Sequence, residues 1–132
     1  AWRATGGGPS GVGAGSESGA VMPGGSVVVL GCGGVGISGI QGARIAGAAE
    51  ILAVDMVESK LEHAKHFGAT HVCTPDAFEQ MKMEITAGEG FDYALECIGN
   101  PITIRATYDA ARRGGTAAGR GGARATSCGR RP

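Results

Sequence analysis

The 132-residue chain is poor in aromatics, with one Trp, two Tyr and three Phe. No run of apolar residues approaches the roughly 18 to 20 that a membrane span requires. A charged start followed by an apolar stretch is also missing, so no secretory signal is indicated and a cytoplasmic location is the expectation. Cys32, Cys73, Cys97 and Cys128 never fall at C-x-x-C spacing, which argues against both a zinc ribbon and a disulfide framework. Of His63, His66 and His71, the first two form a helical pair three apart with no cysteine nearby, which reads as a solvated helical face and not as a metal site. Net charge is zero, but it is unevenly distributed. Residues 21 to 118 carry seven Lys or Arg against eleven Asp or Glu, whereas the last 14 residues carry Arg120, Arg124, Arg130 and Arg131 and no acid. Four arginines without interleaved aromatics read as a solvated end, not a nucleic-acid surface.

Glycine is what the chain has in excess, 26 of 132 residues. Residues 1–20 hold only Trp2 and Val12 as large hydrophobes, and residues 119–132 hold none. Neither end can bury enough apolar surface to offset the entropy of ordering it. The expected organisation is therefore a disordered or non-native segment over 1–20, a folded domain over 21–118 and a disordered basic tail over 119–132. The start at Ala1 instead of Met adds the expectation of a fragment.

Between the ends, strand and helix patterns alternate. Val27 to Leu30 follows a Pro23-Gly24-Gly25 turn and reads as a strand buried on both faces. Ile37, Ile40, Ala43 and Ala48 fit a small-residue helix. "ILAVD", 51–55, is a second strand, and Ser59 with Glu62 predicts a capping box for a helix lined by Leu61, Ala64 and Phe67 up to Gly68. "HVC", 71–73, is a short third strand, followed by a helix presenting Phe78, Met81 and Ile85. "FDYALECIG", 91–99, is a fourth strand running into glycine. Ile104, Tyr108 and Ala111 predict another helix closed by Gly114-Gly115, with Thr116 to Ala118 opening a fifth strand. This order predicts an α/β fold, a parallel Rossmann-type sheet with helices on both faces.

In that context Gly31-Cys32-Gly33-Gly34-Val35-Gly36 satisfies G-x-G-x-x-G at the junction of the first strand and first helix. Gly31 permits the tight turn, Gly33 lets a pyrophosphate approach the backbone, and Gly36 lets helix and strand pack closely. The helix N-terminus presents unpaired N–H groups to the phosphates. Asp55 lies 24 residues after Gly31 at the end of the second strand, where a carboxylate can accept hydrogen bonds from the adenosine ribose and repel a 2'-phosphate. Its bland alternative is a loop or helix-capping Asp. Cys32, near a helix N-terminus, could carry a reactive thiol, but a spacer role is the preferred reading.

From Val21 to about Ala118 the sequence resembles the coenzyme-binding domain of zinc-type medium-chain alcohol dehydrogenases, through "GCGGVG", "GARIAGAAEILAVD", "AKHFGAT", "FDYALECIGN" and "AARRGGT" in order. The resemblance implies NAD bound at the carboxyl ends of the strands. Gly33, Gly34 and Val35 would offer backbone to the pyrophosphate, Asp55 and Lys60 would meet the adenosine ribose, and Cys97 and Ile98 would line the cofactor cleft. It also implies a zinc that polarises an alcohol and a hydride passed to nicotinamide, with a small alcohol or aldehyde as substrate and homo-oligomers in the complete enzyme. The family's zinc ligands, from an earlier catalytic domain, have no counterpart here, so no catalytic or metal residue is assigned and the isolated chain is expected to be inactive. Two alternatives stay open: a non-catalytic dinucleotide-binding module, and an S-adenosylmethionine-dependent methyltransferase, against which Gly36, "AKHFGAT" and "ECIGN" speak.

Overall fold

The computed structural model describes residues 21–119 and, for the backbone alone, residues 124–126. The segment 1–20 and the remainder of 120–132, including Cys128, lie outside the described residues.

Six strands form one sheet in the order β3-β2-β1-β4-β5-β6. They are β1 (Ser26–Leu30), β2 (Glu50–Val54), β3 (His71–Cys73), β4 (Phe91–Glu96), β5 (Ala111–Gly119) and β6 (Arg124–Thr126). The helices are α1 (Gly34–Ile45), α2 (Glu58–Phe67), α3 (Phe78–Thr86) and α4 (Pro101–Ala110), with a short 3-10 turn at Pro75–Ala77 ahead of α3. The first five strands are parallel, and β6 runs antiparallel to β5. The sequence reading ends the sheet at Ala118; the backbone of Arg124–Thr126 adds a further strand within the segment expected to be a disordered tail.

The apolar runs of β1, β2 and β4 follow from burial on both faces, since successive side chains point to opposite sides. Val27 and Val29 face one core with Ile51, Ala53, Tyr93 and Leu95, covered by Ile40 and Ala43 of α1 and Leu61 and Ala64 of α2. Val28 and Leu30 face the other with Leu52, Val54 and Ala94, covered by Phe78 of α3 and Ala110 of α4. Met81 fills space against this second core, whereas Met83 is exposed.

Three local expectations are corrected. The Ser59–Glu62 capping box does not form: α2 begins two residues earlier, with extended Val57 as its cap and no side-chain cap bond. The Val57 carbonyl accepts from the amides of Lys60 and Leu61, so the chain has already turned helical before Ser59. Ala48 lies past α1, which ends at Ile45 and turns out through Gly47 at φ +91°. Ala111 is not helical but opens β5, and Gly114-Gly115 lies within that strand. There the pairing jumps from Phe91↔Ala111 to Tyr93↔Thr116. Gly114 takes φ +80°, and a Cβ on Gly115 would stand 2.9 Å from the Asp92 carbonyl oxygen. These glycines serve a bulge, a use that sequence cannot distinguish from a helix stop.

Candidate functional site

Strand order reverses between β1 and β4, where crossovers leave in opposite directions, the point at which open α/β sheets form a ligand crevice outside the carboxyl ends of their strands. The ends are tied by backbone bonds, with Gly31 N–H donating to the Val54 carbonyl at 2.8 Å and Cys97 N–H to the Leu30 carbonyl at 2.9 Å.

The glycines of the loop divide into two kinds. Gly31 takes φ +103°, and a Cβ there would lie 2.6 Å from Cγ1 of Ile98. A Cβ on Gly36 would lie 1.8 Å from the Gly31 carbonyl oxygen and 3.4 Å from Cγ1 of Val29. Both are demanded by the protein's own packing. At Gly33 and Gly34 a Cβ would meet nothing within 4 Å, and both residues are exposed. Gly33 caps α1 without any side-chain bond, and the first turn of α1 contains no acid. Its leading N–H groups, those of Gly34, Val35 and Gly36, have no acceptor within the helix. The site thus presents bare backbone donors, the positive end of a helix dipole and open space to the crevice.

Asp55, half-buried just past β2, accepts from Cys32 N–H on Oδ2 at 2.9 Å and from Val57 N–H on Oδ1 at 2.8 Å. Its bland role as a loop acid is therefore real: it pins the glycine loop to the start of α2. A carboxylate has about four lone-pair sites, so two remain for hydroxyl donors. Lys60 is exposed on the first turn of α2, and its ammonium favours the ionised form of the Cys32 thiol from there. Cys32 itself is 3% exposed, with its Sγ 3.8 Å from the Val54 carbonyl. Burial, then the Asp55 charge, push its pKa up to about 12, which favours the protonated thiol at neutral pH. On the β4 side Cys97 is buried and Ile98 is 47% exposed over Gly31.

The residue the sequence reading passed over is Glu96. It ends β4 at 1% exposure, with Oε2 accepting from the amides of Ile98 at 2.9 Å, Gly99 at 2.6 Å and Asn100 at 3.4 Å, and from the Thr103 hydroxyl at 2.7 Å. Burial raises its pKa, but the bonds from Thr103, Gly99, Ile98 and Asn100 outweigh it and leave the carboxyl below its ordinary value. The available signal was an acid closing the otherwise buried strand "FDYALE". Asn100 was also missed as the α4 cap; its Oδ1 accepts from Ile102 N–H at 2.7 Å, with Pro101 at the first helical position.

His63 and His66 are exposed on α2 with their rings edge-on to Phe67, and His71 pairs with Glu50 at 3.4 Å. Among the described residues no three His, Cys, Asp or Glu side chains converge as a metal ion would need, and no helix is long and apolar enough to cross a membrane.

Residues 34–128 match the family model described as "Zinc-binding dehydrogenase". The chain belongs to the zinc-binding dehydrogenase family. The match opens at Gly34, so Gly31 and Gly33 rest on the geometry above. An S-(hydroxymethyl)glutathione dehydrogenase from Synechocystis is 41% identical over 109 residues, which are 80% of this chain and 29% of that protein. Benzyl alcohol dehydrogenase from Acinetobacter calcoaceticus superposes with a TM-score of 0.67 at 42% identity, over 72% of this chain and 26% of that one. An alcohol dehydrogenase zinc-binding domain protein from Burkholderia ambifaria superposes at 0.71 and 42% identity, over 79% of this chain and 28% of that one. The chain thus spans under a third of the length of these relatives. The zinc in the family's description has no fitting donor set among the described residues.

Proposed function

We propose that the chain is the NAD-binding part of an alcohol dehydrogenase-like oxidoreductase, holding the dinucleotide across the β1/β4 crevice. The observation that carries the reading is the split among the loop glycines. Gly31 and Gly36 are required by the fold, whereas Gly33 and Gly34 face open space beside unpaired helix N–H groups, as expected where a phosphate approaches the backbone. Gly33, Gly34 and Val35 would hold the pyrophosphate. Asp55 would accept the adenosine ribose hydroxyls on its remaining lone pairs, with Lys60 beside it, and Cys97 and Ile98 would line the far side. NAD supplies hydride acceptance when bound; the chain's own residues bind and orient it.

Asp55 also carries the choice of cofactor. A 2'-phosphate would meet a carboxylate whose position is fixed by two backbone bonds, and the next residue is Met56, not an arginine. The reading extends to a small alcohol or aldehyde as substrate of the complete, cytoplasmic enzyme and to homo-oligomers of it. The chain alone is read as binding without turnover, a dinucleotide module that needs further ligands for chemistry. Titration with NADH and NADPH, followed by nicotinamide fluorescence, should give tighter binding of NADH. NADPH binding as tight or tighter would overturn the Asp55 assignment, and NADH formed from alcohols by the chain alone would overturn the last part.

A further inference from the structure

Glu96 is the only charged residue in the buried set of the described residues. Taking a carboxylate out of water is costly, and a neutral amide or hydroxyl could cap the same turn. What the charge adds is strength and shortness in the bonds it accepts. Three successive amides, those of Ile98, Gly99 and Asn100, converge on Oε2 with the Thr103 hydroxyl, while Oε1, also buried, has no partner among the described residues. Successive backbone N–H groups facing one point form an anion-binding concavity, and here the resident anion is the protein's own side chain.

The turn held in this way carries Ile98 against the first loop glycine, whose Cβ position lies 2.6 Å from Ile98 Cγ1 and 3.4 Å from the Cys97 carbonyl oxygen. We infer that Glu96 is a positioning residue for the β4 side of the crevice. Its carboxylate fixes the turn 97–100, and through Ile98 and Cys97 the width of the gap over Gly31 that the second half of the dinucleotide must cross. The adenosine side is held independently by Asp55 on Cys32 and Val57. This inference rests on the cofactor reading above.

The two sides can be separated with the full 132-residue chain, using NADH for the whole crevice and AMP for the adenosine side. Glu96→Gln keeps the shape and removes the charge. It should weaken NADH binding about tenfold, the loss of strength expected when charge-assisted bonds become neutral, while AMP affinity stays within about twofold. Thr103→Val removes one donor to Oε2 from a half-buried position and should weaken NADH selectively in the same direction, with Thr103→Ser restoring it; this variant decides the matter if Glu96→Gln does not fold. Unchanged NADH affinity in both variants would overturn the inference alone. So would equal weakening of NADH and AMP in folded protein, which marks a merely structural role. If the unsubstituted chain binds neither NADH nor AMP, the cofactor reading fails and this inference falls with it.

Discussion

Gly36 and Gly31 touch so closely that a single Cβ on the first would sit 1.8 Å from the carbonyl oxygen of the second. That contact lets α1 start directly behind β1 and aims its N-terminus into the crevice. Gly33, three residues away, has φ −77° and nothing within 4 Å of its missing Cβ.

The two positions should therefore respond in opposite ways. Gly36→Ala forces backbone to move and should cost about 3 kcal/mol or more, the upper range for overpacking. Gly33→Ala should leave stability within about 0.5 kcal/mol, as for substitutions that disturb no packing, but lower NADH affinity by crowding the phosphate approach. Thermal or urea unfolding with NADH titration checks both, and a destabilised Gly33→Ala with intact binding would contradict the division.

Asp55→Ala should have two effects that a purely ligand-facing acid would not show. NADH affinity should fall and the NADH-over-NADPH preference should narrow as the like charge is removed. Stability should also drop by about 1 kcal/mol or more, because the amides of Cys32 and Val57 lose their acceptors. Parallel cofactor titrations and urea unfolding separate the two, and a variant with undiminished preference for NADH would remove Asp55 from the site.

Much of this arrangement was legible in the residues because strand ends and glycines punctuate the sequence sharply. β1, β2 and β4 are apolar runs closed by Gly31, Asp55 and the Cys97–Gly99 turn, and their pairing follows from the crossover rule. What escaped were choices made by tertiary contacts. Ser59 has a capping residue's chemistry, but the Val57 carbonyl starts the helix first. Gly114-Gly115 looks like a helix stop and proves to be a bulge that clears the Asp92 carbonyl. Glu96 was passed over because an acid at a strand end gives no sequence sign of how many amides converge on it. The loop role of Asp55, weighed in the sequence beside the ligand-facing one, finds its partners Cys32 and Val57 only when both strand ends are in place.

Cys32 sits in the glycine loop but should not react. Folding raises its pKa from an ordinary 9.0 to about 12, so the native state favours the protonated thiol. The stability this contributes is full below pH 9 and is lost as the pH rises from 9 through 12. Iodoacetamide at pH 8 should leave Cys32 unmodified in the folded chain and alkylate it in urea, as read by peptide mass spectrometry. Rapid native alkylation, blocked by NADH, would instead show a reactive thiol in the crevice.

The most direct measurement is amide-resolved NMR of the full chain during NADH titration. The account expects the largest shifts at the amides of Gly33, Gly34 and Val35, with smaller ones at Asp55, Lys60 and Ile98, and little change across α3 and the Gly114-Gly115 bulge. Saturable binding that leaves the amides of Gly33, Gly34 and Val35 unmoved would contradict it.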